Sequence, residues 1–126
     1  MPNFESEGLT LAYQVFGEGP PVLCIHGFAS SAQVNWIDTG WTETLVSAGY
    51  QAIVLDNRGH GLSDKPYDPE LYYPTTMAHD AVALLDELDI GRAALLGYSM
   101  GARIAAFMAF EHEDRVACAK IGRAHV

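Results

Sequence analysis

The sequence predicts an α/β fold in which mostly parallel strands form a sheet with flanking helices. Three short apolar runs, at residues 22–25, 52–55 and 93–96, are each bounded by turn-forming residues. Such runs are typical of strands buried on both faces of a parallel sheet. Segments with helical spacing of apolar residues separate the runs, so right-handed crossover connections are expected.

A further strand is predicted near the N-terminus. There Leu9, Leu11, Tyr13 and Val15 recur with a period of two, which indicates a half-buried strand. We expect it to form a hairpin with the region around Phe4.

Apolar stripes predict three helices. The first carries Trp41, Leu45 and Ala48 on one face, and the second is opened by residues 74–75. The apolar stripe of the second helix comprises Met77, Ala81, Leu84, Leu85 and Leu88. The third, around residues 104–110, is apolar on nearly every side, so we expect it to be covered on most sides.

Composition narrows the possible functions. The 126 residues are enough for one domain, and 49% of them are apolar. Seven basic residues against 16 acidic ones give a net charge of -9 with no basic cluster, so nucleic acid is not an expected partner. No apolar run is long enough to cross a membrane, and the first residues do not resemble a signal peptide. A soluble cytoplasmic protein without a membrane partner is expected.

The two cysteines are expected to be buried free thiols. Cys24 and Cys118 lie in apolar, strand-like contexts without the spacing of a metal site. Neither a disulfide nor a metal is therefore predicted.

The strongest chemical signal is the pentapeptide Gly97-Tyr98-Ser99-Met100-Gly101. It falls between a predicted strand and a predicted helix, where a sharp turn lifts the serine hydroxyl clear of the sheet. The small residues two positions to either side let neighbouring backbone approach closely. Ser99 is the candidate nucleophile, and the alternative is a plain helix N-cap.

Two further motifs follow predicted strands. His26-Gly27-Phe28 comes directly after residues 22–25, where the backbone N–H of Phe28 could hold an oxyanion together with that of Met100. The segment 56–64, with sequence DNRGHGLSD, follows residues 52–55.

With these three motifs in this order, the chain resembles the α/β-hydrolase superfamily, in particular the group with an HG loop, a D-x-R-G-x-G-x-S turn and a G-x-S-x-G elbow. The resemblance runs from about residue 9 to residue 119 and implies the N-terminal half of an α/β-hydrolase sheet. In the family, the serine acts with an acid and then a histidine that follow it along the chain. The resemblance implies neither a cofactor nor a metal.

Neither partner of the serine is recognisable here. Three histidines precede Ser99, and His112 is expected about 18 to 20 Å away, at the far end of the helix that Ser99 begins. The preceding histidines are His26, His60 and His79, and His125 belongs to the C-terminal tail. Glu111, Glu113 and Asp114 are interpreted as a solvated helix end and turn.

The identity of the nucleophile bears on the chemistry. Epoxide hydrolases and haloalkane dehalogenases resembling this group use an aspartate there, so Ser99 favours acyl transfer to small-molecule esters, thioesters or lactones. The alternative is a non-catalytic ligand-binding protein on the same scaffold. Amide, carbon–carbon bond and perhydrolysis chemistry stay open, because a fold does not determine a function.

The remaining motif residues are expected to shape loops. His26 is interpreted as a residue that hydrogen-bonds backbone. The turn after residue 55 is expected to be shaped by Asp56, Arg58, Gly59, His60 and Gly61. Asn35, Trp36 and Trp41 are candidates for a pocket lining, with burial in the core as the favoured interpretation.

The C-terminal end departs from the expected pattern. Residues 1–120 are assigned to the domain, and another strand is expected to start at residues 116–118. Residues 121–126 fit no expected element. The first nucleotides of a common sequencing adapter would encode them, so a non-native tail is predicted, with an ordinary polar tail as the alternative. We expect the chain alone to be inactive, and to aggregate through an exposed apolar edge near Leu95 or Val116.

Overall fold

Six strands form a single sheet with three helices packed against it. The computed structural model describes residues 2–122. The strands are β1 (Asn3–Ser6), β2 (Leu9–Phe16), β3 (Pro21–Ile25), β4 (Gln51–Leu55), β5 (Ala93–Tyr98) and β6 (Val116–Gly122). The helices are α1 (Trp41–Ser47), α2 (Pro74–Glu87) and α3 (Met100–Glu111). The predicted α/β class is confirmed.

The strand order in space is β1-β2-β4-β3-β5-β6. Strands β4, β3, β5 and β6 run parallel, and β1 and β2 add an antiparallel hairpin at one edge. The hairpin turns at Glu7 and Gly8, which both have positive φ (51° and 81°), as a tight two-residue hairpin turn requires. Phe4 pairs with Leu11, so the predicted hairpin is confirmed.

The two faces of the sheet pack against different elements. Leu23, Ile53 and Leu95 belong to the larger cluster of buried apolar side chains, which includes the apolar faces of α2 and α3. Cys24 and Val54 point to the other face and pack with residues that include Trp36, in the short π-helical segment Gln33–Ile37. This alternation explains why the sequence shows continuous apolar runs in these strands.

Three burial predictions are wrong. Trp41 is 45% exposed and Ala48 is exposed as well, because Thr42 is the buried residue of α1. On α3, Phe110 is 86% exposed. Cys118 is exposed on β6, although it is free, as predicted. The common reason is that these side chains point away from the packed faces of their elements, and no residue among 2–122 covers them.

Strand β6 forms the second edge of the sheet. Only Val116 of its seven residues is buried. Ile121 and Gly122, which the sequence analysis placed outside any element, continue the strand and pair with Gly97 and Tyr98. Residues 123–126 of the predicted non-native tail lie outside the described residues. No helix in the described part of the chain has the length and hydropathy needed to cross a membrane.

Candidate active site

Ser99 lies at a sharp bend between β5 and α3. Its backbone φ is 58° and its ψ is -114°, a region that residues other than glycine rarely occupy and that stores strain. Ser99 occupies the N-cap position of α3, but its side chain makes no capping hydrogen bond. Its hydroxyl is therefore not used by the helix as in an ordinary cap.

The bend depends on close backbone contacts at three glycines. A Cβ atom at Gly101 would clash with the carbonyl oxygen of Ile25 at the end of β3, and one at Gly97 would clash with the carbonyl oxygen of Gly101. A Cβ at Gly27 would lie 3.3 Å from the Cβ of Ser99. The loop after β3 and the start of α3 are thus packed together around the serine.

Ser99 borders a cavity of about 570 Å³. Phe28 and Met100, the two predicted oxyanion donors, line the same cavity, so the structure brings together residues predicted from two separate motifs. The other lining residues are Tyr72, Pro74, Ala102 and Arg103. Within residues 2–122, neither a histidine nor a carboxylate lines this cavity.

The backbone N–H groups of Phe28 and Met100 are available for a ligand. Met100 is the first residue of α3, and the first N–H groups of a helix have no partner within it. Phe28 is the second residue of a turn in which the N–H of Ser30 donates to the carbonyl oxygen of Gly27 at 3.3 Å. No hydrogen bond from either N–H to another described residue is present. The helix dipole adds a positive potential at Met100.

Two histidines connect the loop that carries Phe28 to the loop after β4. Nε2 of His26 accepts a bond from the N–H of Asn57 at 3.0 Å, and its Nδ1 lies 2.7 Å from the carbonyl oxygen of Gly27. Nε2 of His60 accepts from the N–H of Ala29 at 3.0 Å. Each ring then carries its proton on Nδ1, because Nε2 is an acceptor.

His26 is held in its neutral form. It is completely buried, and burial lowers its pKa from 6.5 to about 4. The hydrogen bond to Gly27 and the charge of Asp56 oppose this shift, the neighbouring His60 contributes to it, and the effect of burial dominates. The hydrogen bonds of both rings to backbone groups position the loop that carries Phe28.

Asp56 and Ser63 hold the loop after β4 in place. The carboxylate of Asp56 accepts bonds from the N–H groups of Ala32 (2.9 Å) and Leu62 (3.1 Å). The hydroxyl of Ser63 donates to the carbonyl oxygen of Asp56 and accepts from the N–H of Ala12 at 2.8 Å. Gly61, with a φ of 53°, lies so close to the Asp56 carboxylate that a side chain there would clash.

Arg58 lies in a buried ion-pair network that the sequence analysis missed. Its guanidinium makes two hydrogen bonds to Asp80 of α2, at 2.6 and 2.7 Å, and one to Glu7 at 2.8 Å. Burial alone would lower the pKa of Arg58, but Asp80 and Glu7 more than offset this and raise it. Ser6 also donates to Asp80, at 2.6 Å. The network joins the loop after β4, α2 and the N-terminal hairpin.

Arg58 also connects this network to the cavity wall. It donates to the carbonyl oxygen of Leu71 at 3.0 Å, within the 3-10 segment Pro69–Tyr72 that brings Tyr72 to the cavity. A Cβ at Gly59 would clash with the ring of Tyr72. The position of this cavity wall thus depends on contacts between residues more than ten positions apart.

A second cavity lies on the other face of the sheet. It has a volume of about 330 Å³, and its lining includes Asn35, Trp36 and Trp41. Trp36 is nonetheless buried in the core and packs edge-to-face on Trp41. The side-chain oxygen of Asn35 accepts a bond from the N–H of Gly27 at 2.7 Å, which fixes the loop before Phe28.

Comparison with known proteins identifies the family. A profile described as the alpha/beta hydrolase fold matches residues 20–119. The chain belongs to the α/β-hydrolase fold family. An epoxide hydrolase of Caballeronia sordidicola is 38% identical over 118 residues, which are 90% of this chain and 33% of that protein.

Solved structures of α/β hydrolases show the same arrangement. A structure described as an N-acyl homoserine lactone degrading enzyme superposes with a TM-score of 0.83 and 34% identity, over 95% of this chain and 44% of that one. The epoxide hydrolase VrEH1 of Vigna radiata superposes with a TM-score of 0.87 and 28% identity, over 95% of this chain and 38% of that one. The chain thus spans 33% to 44% of the length of these relatives and corresponds to their N-terminal part.

Proposed function

We propose that the protein containing this chain is a serine hydrolase that acts on carboxylic esters, thioesters or lactones. The observation that carries the proposal is the strained backbone of Ser99 beside a cavity that Phe28 and Met100 also line. Strain at a single residue that borders a cavity is a feature of catalytic positions. The relatives include hydrolases of epoxides and of a lactone.

In the proposed reaction, the Ser99 oxygen attacks the acyl carbonyl carbon. Its proton passes to a base and then to the leaving alcohol or thiol, and an acyl-serine ester remains. Water then cleaves this ester and returns the proton to Ser99. The N–H groups of Phe28 and Met100 hold the negative oxygen of both tetrahedral intermediates. Loss of one such donor typically lowers kcat by about 100- to 1000-fold.

The chemistry of serine favours acyl substrates over epoxides. A serine that opened an epoxide would form an ether, which water does not readily cleave, and turnover would stop. A serine that accepts an acyl group forms an ester, which water cleaves. The likeness to epoxide hydrolases therefore supports the fold, and it does not indicate that the substrate is an epoxide.

The base and its acid are proposed to lie outside residues 2–122. His26 and His60 are engaged with backbone groups through both ring nitrogens. His112 lies beyond the opposite end of α3, about 20 Å from Ser99 at 1.5 Å per residue. The chain alone is therefore expected to show little or no turnover.

A fluorophosphonate probe tests the nucleophile on the full-length protein. The wild-type protein should be labelled at Ser99, and the Ser99→Ala variant should not. Ser47→Ala, which changes an exposed serine at the end of α1, should label like the wild type. Unchanged labelling in Ser99→Ala would refute the nucleophile. A full-length protein that binds acyl compounds but takes no label would support a ligand-binding protein instead.

A further inference from the structure

Three potential metal ligands meet at the end of α3 that is far from Ser99. His79 projects from the middle of α2, and Glu111 and His112 lie at the C-terminus of α3. One ligand atom from each residue lies within 4.8 Å of the other two. The rings of His79 and His112 are 5.5 Å apart and nearly perpendicular, at 78°.

These three side chains have no other described partner. Nε2 of His112 is buried and forms no hydrogen bond, a costly state for a polar atom. The ring of His79 and the carboxylate of Glu111 are exposed and form no hydrogen bond or ion pair within residues 2–122. The cluster therefore holds donor atoms that the fold itself does not use.

We propose that His79, Glu111 and His112 form a Zn²⁺ site that joins α2 to α3. Two imidazoles and one carboxylate are a common zinc ligand set, with bonds of about 2.0 to 2.2 Å and water at the fourth position. The exposed side chains of His79 and Glu111 can close the remaining distance by rotation. The cation would also lie at the C-terminus of α3, where the helix dipole is negative.

In this proposal the ion links α2 to α3 and stabilises their packing. The length of α3, about 18 Å, separates it from Ser99, so the ion takes no part in acyl transfer. Binding to the folded protein alone stabilises it by mass action. The site is thus independent of the proposed hydrolase activity.

Calorimetric titration of the metal-free, untagged full-length protein with Zn²⁺ tests the site. One ion should bind per chain and should raise the Tm. His79→Gln, Glu111→Gln and His112→Gln should each weaken binding at least about tenfold. Glu113→Gln removes an adjacent exposed acid outside the cluster and should bind like the wild type. Circular dichroism should show all four variants to be folded.

Two results would overturn the proposal. One is the absence of Zn²⁺ binding at micromolar concentrations. The other is Zn²⁺ binding at the wild-type affinity in any of the three ligand variants, which would place the ion on other groups, such as Cys118 or the remaining histidines. Weakening by at least about tenfold in all three variants, with the wild-type affinity kept in Glu113→Gln, would support it.

Discussion

Two regions of the molecule reverse the usual distribution of polar and apolar side chains. The polar cluster, which comprises His26, Asp56, Arg58 and Asp80, is buried beneath the loops that border the cavity. The outer face of α3 instead exposes Phe110. The cluster satisfies its hydrogen bonds within the described residues, whereas no described residue covers Phe110.

The difference shows which region is stabilised by contacts within residues 2–122 and which region is not. Loops held by buried, paired charges need no outside contact to keep their shape, although loss of one partner leaves a charge in the interior. An exposed aromatic side chain contributes little to the stability of residues 2–122. Substitutions in the two regions should therefore differ greatly in their effect.

The largest effect is expected from Asp80→Ala. It leaves the buried guanidinium of Arg58 with only the half-exposed Glu7 as a counter-charge, which should cost about 3 to 5 kcal/mol of unfolding free energy. Urea denaturation of the full-length protein measures the loss. Glu87→Ala, on the exposed face of α2, is the control and should cost less than about 0.5 kcal/mol. Equal losses in the two variants would contradict the importance of the pair.

A smaller effect should follow from acidification, through His26. Its pKa is 6.5 when unfolded and about 4 when folded, so the unfolded state binds more protons between these values. Stability should therefore fall as the pH decreases through this window, by up to about 1.4 kcal/mol per pH unit. Urea denaturation between pH 7 and pH 5 measures the slope.

A variant without an ionisable group at position 26 provides the comparison. His26→Asn should be less stable than the wild type at pH 7, because the bond from the Asn57 N–H is lost. Its stability should change less between pH 7 and pH 5. A wild-type protein with no slope in this range would refute the buried neutral state.

The smallest effect is expected from Phe110→Lys on the outer face of α3. Because Phe110 is 86% exposed, the unfolding free energy should change by less than about 0.5 kcal/mol. Met108→Ala, two residues earlier and fully buried, should cost about 2 to 5 kcal/mol. Urea denaturation measures both. A large loss in Phe110→Lys would show that this side chain is buried in solution.

The fold was predictable because its signals are local. The apolar runs of β3, β4 and β5 and the stripe of α2 depend on neighbouring residues, and each matched the observed element. The exposure of side chains at the edge of the sheet was not predictable in the same way. Cys118 has an apolar context but lies on an edge strand, and sequence periodicity does not reveal which strand forms an edge.

Some residues of the candidate site were likewise predictable from local motifs, and others were not. Ser99, Phe28 and Met100 were found from motifs, because a strand-to-helix turn and a strand-to-loop junction are local features, and their catalytic roles stay predictions. Tyr72 and Arg103 were missed, since no spacing rule places them at the cavity. Asp80 was also missed, because it lies 22 residues from Arg58 on the next helix.

By itself the sequence determined the α/β class, the parallel central strands and the position of a serine at a strand-to-helix bend, because each depends on residue order within a short segment. The tertiary structure decided which polar groups share the interior and which nitrogen and oxygen atoms meet between α2 and α3. Contacts such as Arg58 with Asp80, or His79 with Glu111, exist only once the helices have packed on the sheet.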